Sequence, residues 1–191
     1  MRKFSKRRGV IGTAMSPYEV ELLTSLVRQL VELVSDGEPA GFANPTDPTD
    51  PFEQLTRDLE VDPDEPEVSE DPVLRRLFPT AYPHDAAASS DFRRFTEREL
   101  RSKKVADAQV VLDHLGSTQE GVRDLRIPVA DADAWLRTLT AVRLAVATRL
   151  GISDAESADE LARLSEDDPR GFLVSVYDWL GFAQETLVSV L

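Results

Sequence analysis

The chain has 191 residues, of which 41% are hydrophobic and 30% charged, so it contains enough apolar material for one globular domain with a core. It contains no cysteine. This excludes a disulfide framework, thiolate metal sites, a cysteine nucleophile and thiol-based redox sensing in this chain. No export signal or long apolar run is visible, so we predict a cytoplasmic protein that does not cross a membrane.

The net charge of −13 comes almost entirely from one segment. Residues 35–71 contain 13 acidic residues and one basic residue, whereas the other 154 residues contain 22 acidic and 21 basic residues. The same segment holds six of the twelve prolines, and it cannot bury enough apolar surface to offset the entropy lost on ordering. We therefore predict one helical domain over residues 1–191, with an acidic, proline-rich mobile loop at 36–70 and a short helix within it capped by Asp50.

The first predicted elements are two short strands, Lys3–Phe4 and Val10–Ala14, around a basic turn at Lys6–Gly9. A helix is predicted next, because Ser16-Pro17-Tyr18-Glu19 has the residues of a capping box with proline in the first turn. Apolar residues at helical spacing continue this helix to about Ser35.

Two further helices are predicted after the acidic segment. Asp71 begins a short one that ends before Pro79, and Asp85 begins a longer one that ends at Gly116. The longer helix carries apolar residues from Phe92 to Leu115. Its apolar stripe slips near Ser102, which predicts a break there.

The C-terminal third begins with a strand predicted at Val122–Val129, which Pro128 would place at the edge of the sheet. Asp131 is predicted to cap a core helix that ends at Leu150, with Gly151 as the residue after its C-cap. A short helix is then expected from Ser153 to about Leu164.

The last helix is predicted to begin at Asp168-Pro169, and its broad apolar face implies a central position. The predicted fold is a mainly α, compact multi-helix bundle with a small antiparallel sheet of two or three strands. Six side chains are predicted to be buried: Trp135, Leu139, Val142, Leu173, Leu180 and Leu187.

No motif for catalysis or cofactor binding occurs in the sequence. His84 lies in a turn and His114 near a helix end, and neither has the spacing of a zinc site, so both are interpreted as surface residues. No phosphate-binding loop or nucleophile elbow is present either. We predict a protein that is not an enzyme and has no metal or cofactor. The alternative is an enzyme whose site is assembled from scattered carboxylates and arginines.

One basic constellation points to a binding surface. Six basic residues fall within positions 93–104: Arg93, Arg94, Arg98, Arg101, Lys103 and Lys104. An N-terminal cluster adds Arg2, Lys3, Lys6, Arg7 and Arg8. Arg94, Arg98 and Arg101 share a helix face, and arginine forks suit carboxylates on a protein partner. The acidic segment is predicted to compete for this face. The alternatives are pairing with Asp91, Glu97 and Glu99 on the same helix, or contact with DNA.

Several stretches resemble a known family: Asp71–Tyr82, Phe92–Arg101, Trp135–Leu139, Arg143–Gly151 and Tyr177–Leu187. This is the actinobacterial family catalogued as domain of unknown function number two thousand and seventeen. The resemblance implies a mostly helical cytoplasmic protein without assigned catalytic residues. Some members are described as oxidative-stress transcriptional regulators, which implies a protein partner in the transcription machinery such as a sigma factor. Disulfide-based control cannot operate in a chain without cysteine.

Overall fold

The computed structural model describes residues 1–35, 69–161, 163–164 and 168–191. Within them, the helices are α1 (Pro17–Ser35), α2 (Pro72–Leu77), α3 (Ala86–Ser117), α4 (Ala132–Arg149), α5 (Ala155–Leu161) and α6 (Gly171–Val188). The strands are β1 (Ser5–Arg7), β2 (Val10–Thr13) and β3 (Leu125–Pro128). The predicted class, a mainly helical bundle with a small antiparallel sheet, is confirmed. The predictions for the acidic loop and its helix capped by Asp50 lie outside the described residues, except at Ser69 and Glu70.

The sheet has the order β1-β2-β3, with both neighbouring pairs antiparallel. β3 therefore lies at an edge, as Pro128 predicts. The first strand spans Ser5–Arg7 and not Lys3–Phe4, and it reaches Arg7 because the turn between β1 and β2 is shorter than predicted. Only Arg8 and Gly9 form it, both with positive φ (49° and 77°), which is the backbone of a two-residue hairpin turn.

Three of the six helix starts predicted within the described residues are confirmed at atomic detail. The backbone N–H of Ser16 donates to Glu19 Oε2 at 2.8 Å, and the Glu19 N–H donates back to the Ser16 hydroxyl at 3.3 Å, which is a capping box. Asp71 and Asp85 accept backbone N–H groups in the first turns of α2 and α3, at 2.7 and 3.0 Å. Gly151 follows α4 with φ +78°, as predicted.

The sequence-based assignments were wrong at other helix ends. Asp131 stands at the N-cap position of α4 but makes no capping hydrogen bond, because its carboxylate is directed to His114. α5 is capped by Asp154, which accepts the Ser157 N–H at 2.9 Å, and α5 ends at Leu161. α6 begins at Gly171, two residues after Pro169. Asp168 accepts the backbone N–H of Arg170, the residue just before this helix.

α3 continues through Ser102 without the predicted break. No side chain between Ala86 and Leu100 is buried, whereas Ala108, Val111 and Leu115 lie fully in the core. The apolar stripe slips because the first half of the helix has no core to face. The slip therefore marks the point at which the helix meets the core, and it does not mark a break.

α4 occupies the centre of the bundle and packs against α1, α2, α3 and α6. The predicted central position of α6 is wrong, since this helix lies on the outside with α4 as its main neighbour. Five of the six side chains predicted to be buried are buried, and Leu173 is half-buried. In the part of the chain that the structure describes, no helix has both the length and the apolar character to cross a membrane.

Candidate partner-binding surfaces

Arg101, predicted at the centre of an exposed basic face, is turned into the protein and is only 7% exposed. Its guanidinium donates to the Val34 carbonyl at 2.6 Å and to Glu97 Oε1 at 2.6 and 2.9 Å. It also lies 4.7 Å from the centre of the Phe78 ring. Val34 is in the last turn of α1, where carbonyl groups lack helical partners. Arg101 therefore connects the ends of α1 and α2 to the middle of α3, and its charge is not presented to a partner.

The remaining basic residues of 93–104 divide into a half-buried pair, Arg93 and Lys104, and an exposed group. Arg93 pairs with Glu97 on the same helix at 3.3 Å, a contact of the kind that the alternative interpretation describes. The Lys104 ammonium lies 5.6 Å from the centre of the Phe78 ring. Burial lowers the pKa of Lys104, although the negative charge of Asp107 acts to raise it. The exposed members of the set are Arg94, Arg98 and Lys103.

The N-terminal half of α3, Ala86–Leu100, is called the arm below. It presents three large apolar side chains to solvent: Phe92, Phe95 and Leu100, of which Phe95 is 75% exposed. The ring of Tyr82, itself exposed, meets Phe92 edge to face with ring centres 5.9 Å apart. Aromatic side chains beside arginines are typical of binding hot spots at protein interfaces. Sequence analysis missed this surface, because the spacing of apolar residues along a helix does not show whether another element covers them.

The N-terminal cluster forms a second basic surface that is separate from the arm. All five of its basic side chains are exposed, and they lie on the β1–β2 hairpin and the residues before it. The strand beside this hairpin, β3, follows the C-terminal end of α3, whereas the arm is at the other end. α3 has 32 residues and is therefore about 48 Å long. The structure does not bring the two basic clusters together.

His114 belongs to a polar cluster that sequence analysis missed. The indole N–H of Trp135 donates to His114 Nδ1 at 2.9 Å, and the two rings lie 13° from parallel. His114 Nε2 lies 3.4 Å from Asp131 Oδ2. Since Nδ1 accepts a hydrogen bond, the neutral imidazole carries its proton on Nε2, facing Asp131. The interpretation of His114 as a plain surface residue was wrong, and its 21-residue distance from Trp135 gave no local signal. His84 is exposed, as predicted.

The carboxylates with lowered pKa values lie at helix starts. Hydrogen bonds from the Arg170 side chain and backbone lower the pKa of Asp168, just before α6. Those from the Ser157 backbone and hydroxyl lower the pKa of Asp154 at the start of α5. These shifts follow from local hydrogen bonds at helix starts and do not mark a reaction centre. Among the described residues, no group of three or more His, Asp or Glu side chains converges to hold a metal ion.

Comparison with known proteins gives named relatives and a family. The oxidative stress regulator AosR of Mycobacterium tuberculosis is 28% identical over 192 residues, which cover 94% of this chain and 81% of the relative. The AosR protein of Mycobacterium bovis has the same identity and coverage. A homologue from Mycobacterium leprae is 31% identical, again over 94% of this chain and 81% of its own length. No solved structure is significantly similar. The family model for DUF2017, a domain of unknown function, matches residues 1–191, so the chain belongs to the DUF2017 family.

Proposed function

We propose that this protein is a non-enzymatic cytoplasmic regulator that acts by binding a protein partner through the arm. The observation that carries the proposal is the exposure of Ala86–Leu100, where large apolar side chains lie beside arginines and no side chain is buried. Single exposed apolar residues are common, but several along one helical segment are typical of an interaction site. The names of the mycobacterial relatives support a regulatory role in oxidative stress.

The chemistry of the arm favours an acidic partner segment that also carries apolar side chains. Arg94 and Arg98 are exposed one turn apart, and their guanidinium groups can each take a carboxylate in a bidentate pair. Phe95 lies between them in the chain and supplies apolar area that a partner would cover. Because the relatives are named as stress regulators, a component of the transcription machinery such as a sigma factor is the candidate partner.

The same surface is less suited to duplex DNA. Asp91, Glu97 and Glu99 alternate with the basic residues of the arm, whereas DNA-binding surfaces concentrate positive charge. A salt titration distinguishes the two partners. Binding to a protein through apolar and ion-pair contacts is expected to weaken modestly with salt, while neutralisation of several phosphates would make affinity fall steeply.

The test is recovery of partners from cells that express the tagged full-length protein, by cross-linking and quantitative mass spectrometry. The arm variant is Arg94→Glu/Arg98→Glu/Lys103→Glu, and Arg101 is kept because it is part of the fold. The matched control reverses three charges of the N-terminal cluster, Arg2→Glu/Lys3→Glu/Lys6→Glu. Each variant is first shown to unfold with the wild-type free energy.

We expect the arm variant to lose the partners that the control still recovers. A variant with the single change Phe95→Ser should lose most of the same partners, because the apolar contact is removed without any change in charge. Undiminished recovery with both arm variants contradicts the proposal. Loss only with the control variant also contradicts it and moves the binding surface to the N-terminal hairpin.

A further inference from the structure

Arg143, in the second half of α4, packs against α6 without a carboxylate partner among the described residues. Its guanidinium carbon lies 4.5 Å from the centre of the Tyr177 ring. Its Nη1 is 3.4 Å from Gln184 Oε1, a long contact. Its Nε is buried and makes no hydrogen bond to a described residue. Among the described residues, the guanidinium thus has one weak acceptor, the Gln184 amide oxygen.

The side chain of Arg143 is held in place by its surroundings. A Cβ atom at Gly181 would lie 3.2 Å from Arg143 Nη2 and 3.3 Å from its Cζ, so the guanidinium lies directly against the backbone of α6. The Gln184 amide nitrogen donates to the Thr140 hydroxyl at 2.8 Å, which turns the amide oxygen toward Arg143. A guanidinium fixed in this way loses little entropy when it binds a ligand.

The two other arginines of α4 show what a structural role looks like in this helix. Arg137 donates twice to Asp107, at 2.7 and 2.8 Å, and Arg149 donates to Asp71 at 2.8 Å. Both guanidinium groups therefore have carboxylates supplied by neighbouring elements. Arg143 differs from these two arginines, because the described part of the fold supplies it with an aromatic face and an amide oxygen only.

We propose that Arg143, Tyr177 and Gln184 form a carboxylate-binding notch that receives an aspartate or glutamate side chain of a partner protein. The charge favours an anion, and the planar fork fits the two oxygens of a carboxylate. A protein segment is the occupant because Val188 and Leu191, which follow Gln184 in the chain, are 57% and 49% exposed and together offer an apolar area that neighbouring side chains of a partner would cover. The notch is separate from the arm and does not depend on its function.

The test follows the Arg143 Nε–H signal by NMR in full-length protein labelled with nitrogen-15 arginine. The signal is assigned by its absence in Arg143→Lys. The first probes are N-acetylglutamate methylamide and its neutral counterpart N-acetylglutamine methylamide, at matched ionic strength. We expect about tenfold tighter binding of the glutamate probe, the effect of one charge-assisted pair. A peptide with glutamate flanked by leucines should bind more tightly than the glutamate probe alone.

Gly181→Ala should weaken the response, because the added Cβ would lie 3.2 Å from Arg143 Nη2 and force the guanidinium to shift, in a protein shown by circular dichroism to be folded. Arg143→Lys should lose the preference for glutamate over glutamine, measured on neighbouring backbone signals. Arg137→Lys is the matched control and should keep both the response to the probe and the preference for glutamate. Equal response to the two probes, or a stronger response to inorganic phosphate, overturns the carboxylate assignment. Equal affinity for the peptide and the small probe contradicts the assignment of a protein segment to the notch. A change of the signal when the protein is diluted without probe contradicts a separate partner protein, because it would assign the notch to a second copy of this chain.

Discussion

The two halves of α3 differ in how far their side chains are buried. The C-terminal half places Ala108, Val111 and Leu115 in the core against α1 and α4. The arm continues along the same axis without a buried side chain, and it carries aromatic and basic residues on its surface. One continuous helix thus serves stability at one end and is available for recognition at the other.

Arg101 marks the boundary between these halves, and the comparison shows how a charge can belong to the fold. It is the first buried residue after the arm, and it provides donors for the open carbonyl of Val34. One turn earlier, Arg98 is exposed. Two arginines on one helix face therefore have different roles, which are set by the elements that meet the helix at each level.

The largest expected contrast comes from truncating apolar side chains in the two halves. Leu115→Ala, at a position that is 1% exposed, should lower the free energy of unfolding by about 2–5 kcal/mol, because it leaves a cavity. Phe95→Ala removes a larger side chain but should change it by less than about 0.5 kcal/mol. Urea denaturation measures both. A loss of more than about 1 kcal/mol for Phe95→Ala would mean that the arm is part of the cooperative core.

A second contrast compares arginines across the boundary. Arg101→Met should destabilise the protein by about 1.5–3 kcal/mol, since it leaves the buried Val34 carbonyl without its donor and leaves Glu97 with only the longer contact to Arg93. Arg94→Met is the matched control on the arm and should be neutral within about 0.5 kcal/mol. Both values come from the same denaturation experiment, and equal effects would remove the distinction between the two residues.

His114 allows a third comparison within the buried end of α3. His114→Leu should lower the free energy of unfolding by about 1–3 kcal/mol, because the indole N–H of Trp135 loses its acceptor while the Trp135 side chain stays buried. The fluorescence of Trp135 should change as well. His84→Leu, in the exposed turn before the arm, should alter neither quantity. Unchanged stability in His114→Leu would show that water replaces the histidine at no cost.

The smallest expected effects concern the two helix caps. Asp71→Ala should cost about 1 kcal/mol, whereas Asp85→Ala, at the start of the arm, should fray the arm and leave global unfolding nearly unchanged.

Burial alone would raise the pKa of Asp71, but the Val73 N–H and Arg149 together hold it below 3.8. Because the folded pKa is the lower one, this stabilisation is present above about pH 4 and is lost as the pH falls through the folded pKa. A pH titration of stability in wild type and Asp71→Ala checks this sign.

Local signals were sufficient for much of the fold and for little of the candidate sites. The capping box at Ser16, the cap at Asp71 and the edge strand with Pro128 depend on neighbouring residues in the chain, so the sequence predicts them. The burial of Arg101 depends on where α1 ends, 67 residues earlier, and the notch around Arg143 depends on residues about 40 positions later. Periodicity identifies the apolar residues of the arm but not whether another element covers them.

Native-state hydrogen exchange along α3 tests the central claim most directly, because it measures both halves of one helix in a single experiment. The account predicts that amides of residues 86–100 exchange through local opening of low free energy, while those of residues 104–117 exchange only near the global unfolding limit. Addition of the recovered partner should then protect the arm and leave the second half unchanged. Uniform protection along the whole helix in the isolated protein, with no further change when the partner binds, would contradict the account.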